Sequence, residues 1–121
     1  MPTIIEPIAP KKNSYHKSRQ YQREFPKAHV VKVLNTVNCQ LMVRPSLLTG
    51  DHSLFLCGND AAARKDVAQK LCEWFGWKAS NIIDLGDLSG ARGMEMLMPL
   101  WMRLFGLFGT PVFNFHIVRG K

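Results

Sequence analysis

Apolar positions along the chain fall into two rhythms, short β-branched runs and longer stretches with helical spacing. HVVKVLNT, residues 29–36, places Val30, Val31 and Val33 together, the residue type that suits a pleated and largely buried strand. LFLC at 54–57 is a continuous apolar run of strand length, and NIIDLG at 81–86 is a third. A short strand is expected at Thr3 to Ile5, followed by an exposed turn at Pro7 and Pro10. Ser14 to Phe25 predicts a helix that Pro26 ends, and a loop or short helix runs through Pro45 and Gly50. Between the last two strands, Ala61 to Phe75 predicts a helix with Val67, Leu71, Trp74 and Phe75 on one face and Arg64, Lys65 and Lys70 toward the other. Gly76 is its natural stop. Leu88 to about Phe108 predicts an apolar helix interrupted at Pro99. Strands separated by helices imply a parallel sheet with covered faces, an α/β fold class.

The stretch SLFLCGNDAAARKDV, Ser53 to Val67, has the strand-turn-helix order that cradles a pyrophosphate in dinucleotide-binding folds. Such a turn wants several glycines and no acid at the helix start, because orphan backbone N–H groups must face the anion. Here Gly58 is followed by Asn59 and Asp60. The Asp60 carboxylate can cap the helix itself, which closes the site to phosphate. No other turn in the sequence is rich in glycine, so the pattern reads as a partial Rossmann-like parallel sheet lacking the glycine-rich first half.

With 121 residues, 46% of them hydrophobic, the chain is one domain at most and has enough apolar surface for a small core. It contains no apolar run of membrane-spanning length, and its first residues do not read as a secretory signal, so a cytoplasmic location is expected. Cys39, Cys57 and Cys72 match no zinc or redox spacing and read as buried thiols. The net charge of +7 is concentrated between Lys11 and Lys32, where Tyr15, Tyr21 and Phe25 are interleaved. That segment can be read as a nucleic-acid arm or as a solvated helix face. Glu24 interrupts it and no recognised binding motif accompanies it, which favours the solvated face. Two units are expected, a basic segment over 1–28 and an α/β half over 29–121.

FPKAHVVKVLNTVN, LFLCGNDAAARKDVAQKL and IIDLGDLSGARGMEMLMPLWMRL follow one another in an order and spacing that resembles the carboxyl-terminal half of the coenzyme F-420-dependent NADP oxidoreductases. The same series resembles the cytosolic oxidoreductase domain of the six-transmembrane metalloreductases. The resemblance covers about Phe25 to Arg103. It implies that the strand end at Asn35 and Thr36 meets the nicotinamide, that Gly58 to Asp60 opens a structural helix, and that Asp84 to Gly86 precede the Ala91–Arg92 pair on the last helix. NADP and a flavin or deazaflavin are the cofactors it implies, with hydride transfer between them. In that chemistry the cofactors react and the protein supplies distance and orientation, so no general base is required. Weak NADP binding is expected of this chain alone, since the phosphate-binding turn would lie elsewhere.

Asn35, Thr36 and Asn38 offer amide and hydroxyl groups that can orient a carboxamide, and equally can turn and cap a strand end. Arg92 reads either as the partner of Glu95 in an i,i+3 ion pair or as a contact to an acidic substrate. His16, His29, His52 and His116 lack ligand spacing, and no metal site is expected. Met94, Leu97, Met98, Trp101, Met102, Leu104, Phe105 and Phe108 cover too much of their helix for one core-facing seam, which points to core plus a homodimer interface across 94–108. Two functions follow. The chain is the acceptor-side half of an NAD(P)H-dependent oxidoreductase that acts on a small-molecule redox acceptor and needs a missing half, or it is a non-catalytic α/β interaction domain that dimerises through its last helix.

Overall fold

Val30, Val31, Lys32 and Val33 alternate between the two faces of a central strand, and every one of them is buried. That strand, β2 (His29–Val33), lies inside a four-stranded sheet in the computed structural model of the protein, which describes residues 3–6 and 14–120. The turn expected at Pro7 and Pro10 and the start of the basic segment lie outside the described residues.

The sheet order is β1 (Thr3–Glu6), β2, β3 (Leu54–Gly58) and β4 (Ile82–Asp84). The β1–β2 and β3–β4 pairs are parallel, with Ile5 opposite Val31 and Phe55 opposite Ile83, whereas β2 and β3 are antiparallel, with Lys32 opposite Cys57. The α/β, partial Rossmann-like class is present, but the expected all-parallel sheet is corrected to a mixed one. The connections give the reason. A parallel return needs a crossover long enough to carry the chain back along the sheet. Helix α1 (Ser14–Glu24) provides it between β1 and β2, and α3 (Ala61–Phe75), about 22 Å long, provides it between β3 and β4. Between β2 and β3 stand only α2 (Cys39–Val43), about 7 Å long, and a 3-10 turn at Pro45–Leu47. The chain stays at the end where β2 finished, and β3 runs back.

Each sheet face carries its own core. Val31, Val33, Leu41, Leu54, Leu56, Val67, Leu71 and Trp77 fill the face under α2 and α3. Val30, Phe55, Cys57, Leu88, Ala91 and Met94 fill the opposite face, under the helix that follows β4. Gly58 is required where the two central strands meet, because a Cβ there would stand 2.6 Å from the Val30 carbonyl oxygen. Helix α3 has the expected bounds: Asp60 accepts a hydrogen bond from the Ala63 N–H at 2.8 Å, and Gly76 closes the helix at φ 83°.

Four local expectations are corrected. The helix expected from Leu88 to Phe108 with an interruption at Pro99 starts at Gly90 and breaks at Leu97, into α4 (Gly90–Met96) and α5 (Met98–Phe108), because Pro99 occupies the first turn of a new helix, where its missing N–H costs nothing. Trp74, placed on the core face of α3, is 62% exposed, with the Lys70 ammonium 5.9 Å above its ring. Of the three cysteines only Cys57 is buried, while Cys39 is exposed and Cys72 half-buried. β2 stops at Val33 instead of continuing through Thr36, since Leu34 takes a left-handed conformation with φ 71°. After α5 the chain folds back on the start of β3, where the Ser53 N–H donates to the Phe115 carbonyl at 2.8 Å and Asn114 Nδ2 donates to the Ser53 carbonyl at 2.8 Å. No helix among the described residues is long and apolar enough to cross a membrane.

Candidate functional site at the end of β2

The left-handed Leu34 ends the strand and swings the next residues out of the ladder, with the Val37 N–H closing the turn on the Leu34 carbonyl at 3.2 Å. A β-branch-free but bulky residue in this region is strained, and such strain collects at functional strand ends. Asn38 then caps α2, its Oδ1 accepting from the Gln40 N–H at 3.0 Å. Of the residues the sequence brings forward, Asn38 is thus occupied as a cap, while Asn35 and Thr36 are buried side by side.

Asn35 is directed at the end of α4. Its Nδ2 donates to the Met94 carbonyl at 3.1 Å and to Glu95 Oε1 at 3.2 Å. Both partners can only accept, which fixes the orientation of the amide. Its Oδ1 is buried and has no hydrogen-bond partner among the described residues. Glu95 also takes the ammonium of Lys32 at 2.7 Å, and the Lys32 side chain is fully buried. The expected Arg92–Glu95 ion pair is therefore corrected: Glu95 turns inward to β2, and Arg92 is left exposed on α4. The cluster of Lys32, Asn35 and Glu95 was not foreseen. Lys32 stood in the basic segment as one more surface charge, and only its position between Val31 and Val33 in an apolar strand signalled burial.

The Gly58–Asp60 turn spends its polar groups on the fold. Asp60 caps α3, Asn59 Oδ1 accepts from the Leu88 N–H at 3.1 Å, and Arg64 donates to the Gly58 carbonyl at 2.6 Å while pairing with Asp84 at 2.9 Å. A cavity of about 440 Å³ lies beside it, lined by Arg19, Gln22, Arg23, Asp87 and Ser89. Asp87 there is held below the ordinary aspartate range by hydrogen bonds from the Ser89 hydroxyl and backbone N–H. A larger, apolar cavity of about 680 Å³ lies between α3 and β4. Neither is lined by Asn35, Thr36, Asn38 or Arg92. Among the described residues no group of three or more His, Cys, Asp and Glu side chains is placed to hold a metal ion.

No protein-family model matches the chain. No curated protein matches it either. Among solved structures, the chain is 53% identical to a protein of Arthrobacter sp. FB24 assigned as an F420-dependent NADP reductase, with a TM-score of 0.78 over 84% of this chain and 45% of that one. A hypothetical protein of Sinorhizobium meliloti is 25% identical, with a TM-score of 0.51 over 72% of this chain and 45% of that one. The chain therefore spans about half the length of each neighbour. The mixed sheet with helices on both faces and the strand-end amide define a partial Rossmann-like α/β protein. The 53% identity over the matched stretch supports the F420-dependent NADP oxidoreductase family for this part of the fold.

Proposed function

We propose that this chain provides the acceptor-side half of an NAD(P)H-dependent oxidoreductase that passes hydride between NADP and a flavin-like or deazaflavin acceptor. The observation that carries the reading is Asn35 Oδ1, a buried acceptor without a hydrogen-bond partner among the described residues, on an amide whose other end is immobilised. A buried polar atom of this kind is costly unless something donates to it. The carboxamide of a nicotinamide is a fitting donor. Asn35 would accept from it, and Thr36, adjacent and buried, would supply a hydroxyl. The reduced cofactor, NADPH, would supply the hydride when bound and leave as NADP; these residues would fix the ring's angle and its distance from the acceptor. The exposed guanidinium of Arg92 suits an acidic acceptor. The phosphates would be held by a glycine-rich turn in another part of a longer chain or in a partner, since Asp60 caps the helix after Gly58 with its own carboxylate.

A chimaera tests this. With the matched stretch of the Arthrobacter protein replaced by this chain, NADPH-dependent reduction of F420 is expected, and Asn35→Ala in the chimaera should lower kcat about tenfold or more. A folded chimaera that binds NADPH but passes no hydride, beside an active parent, would overturn the reading. For the chain alone, calorimetry should give NADPH binding weaker than about 1 μM.

A second reading rests on α5, no residue of which is buried. Leu100, Met102, Leu107 and Phe108 are each about half exposed or more. So much exposed apolar surface around the helix suits an interaction domain that pairs with a second copy.

A further inference from the structure

We infer that Glu95 is a positioning residue for Asn35, and that Lys32 is the counter-charge that lets Glu95 do this inside the fold. The inference rests on the reading of Asn35 as a ligand-accepting amide. An asparagine side chain can turn over and exchange its oxygen for its nitrogen, and only its partners decide which end faces a ligand. At Asn35 two acceptors make that decision. The Met94 carbonyl is backbone at the end of α4 and serves any sequence. Glu95 Oε1, at 3.2 Å, is the part that the sequence chooses. A carboxylate so close to the strand end would be poorly tolerated without a compensating cation, and a hydrogen bond to a charged group is stronger than one to a neutral group. Lys32 Nζ stands 2.7 Å from the same Oε1, on a side chain that is fully buried. It lies on β2, three residues before Asn35 in the turn that follows the strand, so β2 and its closing turn deliver the cation and the amide to one carboxylate. The result is an amide whose Nδ2 is held by α4 and whose Oδ1 is left as a buried acceptor with no hydrogen-bond partner among the described residues.

Two double variants separate the hydrogen bond from the charge, each avoiding a lone buried charge. Lys32→Met with Glu95→Gln keeps an acceptor oxygen at position 95; Lys32→Met with Glu95→Leu removes it. The readout is hydrogen exchange of the Asn35 side-chain NH2, followed by NMR in the chain as it is. In the wild type the hydrogen facing Glu95 should exchange at least about tenfold more slowly than that of an exposed asparagine. The Met/Gln variant should preserve that protection, and the Met/Leu variant should lose it while backbone exchange in β2 and α4 stays slow. Fast Asn35 exchange in the wild type overturns the inference without any variant, and so does protection unchanged in a folded Met/Leu variant. In the chimaera, the Met/Leu pair should lower kcat about tenfold while the Met/Gln pair restores it. If Asn35 protection follows residue 95 as expected but turnover ignores both, the positioning role stands and the nicotinamide reading of Asn35 fails.

Discussion

At the scale of single residues, two side chains show which chemistry is local and which is not. The Asp60 cap could be read directly from the sequence, because capping depends only on a carboxylate one residue before a helix and a free N–H three residues on. The structure places that bond at 2.8 Å. Asp60→Ala should therefore cost about 1 kcal/mol in urea denaturation and leave ligand binding unchanged. A tenfold loss of binding with intact stability would move the turn into the site. Leu34 could not be read, since nothing in its own identity announces a φ of 71°. Its side chain is 7% exposed and belongs to the core beneath α3. Leu34→Ala loses that burial at about 2–5 kcal/mol and keeps the strain. Leu34→Gly loses the same burial but relieves about 1–2 kcal/mol of left-handed strain. The glycine variant should thus be the more stable of the two by about 1 kcal/mol, the reverse of the usual order. Equal midpoints in denaturant would mean that Leu34 carries no such strain.

Elements follow from patterns a few residues long, and their assembly does not. The bounds of α3 and the existence of every strand were legible because apolar spacing and Gly76 lie within the segment itself. The reversal between β2 and β3 was not, as it depends on how little of the chain between them becomes helix. Lys32 escaped for a related reason: its partner Glu95 sits on α4, the third α-helix after it, and composition counts a buried lysine and an exposed one alike. One contact between elements has a pH signature. Asp51, ahead of β3, is held below the ordinary aspartate range chiefly by the hydrogen bond from Lys78, just before the 3-10 turn Ala79–Asn81 that leads into β4, and next by that from Asn81 within it. A carboxyl depressed in the folded state contributes stability above its unfolded value of about 4, and that contribution is lost as pH falls through the lower folded value. An NMR titration should find Asp51 still ionised where free aspartate is half-protonated. Lys78→Met should bring it back up, and an unmoved titration in that variant would remove Lys78 as the cause.

Among the described residues, α5 carries an apolar surface that the fold leaves uncovered. Helix α5 follows and packs on α4, and in the segment after Gly109 Phe113 stacks on Trp101 at 5.1 Å. Phe105 meets the same indole at 5.5 Å, and Phe108 meets Phe113 edge-on at 5.5 Å. The four rings form a ridge that Trp101 holds in place, and Phe105 and Phe108 at 39% and 58% exposure give it an outward face. An apolar ridge left in water invites association, and a second copy related by a twofold axis would cover each ridge with the other. Aromatic anchors at the centre of such an interface typically contribute about 2 kcal/mol or more each. The chain is accordingly expected to run as a homodimer in light scattering coupled to size exclusion. Trp101→Ala together with Phe105→Ala should collapse the ridge and shift it to monomer or aggregate. A wild-type chain that stays monomeric and monodisperse at high concentration would remove the dimer, and with it the reading of this chain as an interaction domain, while leaving the reading of Asn35, which rests on its contacts with α4, untouched.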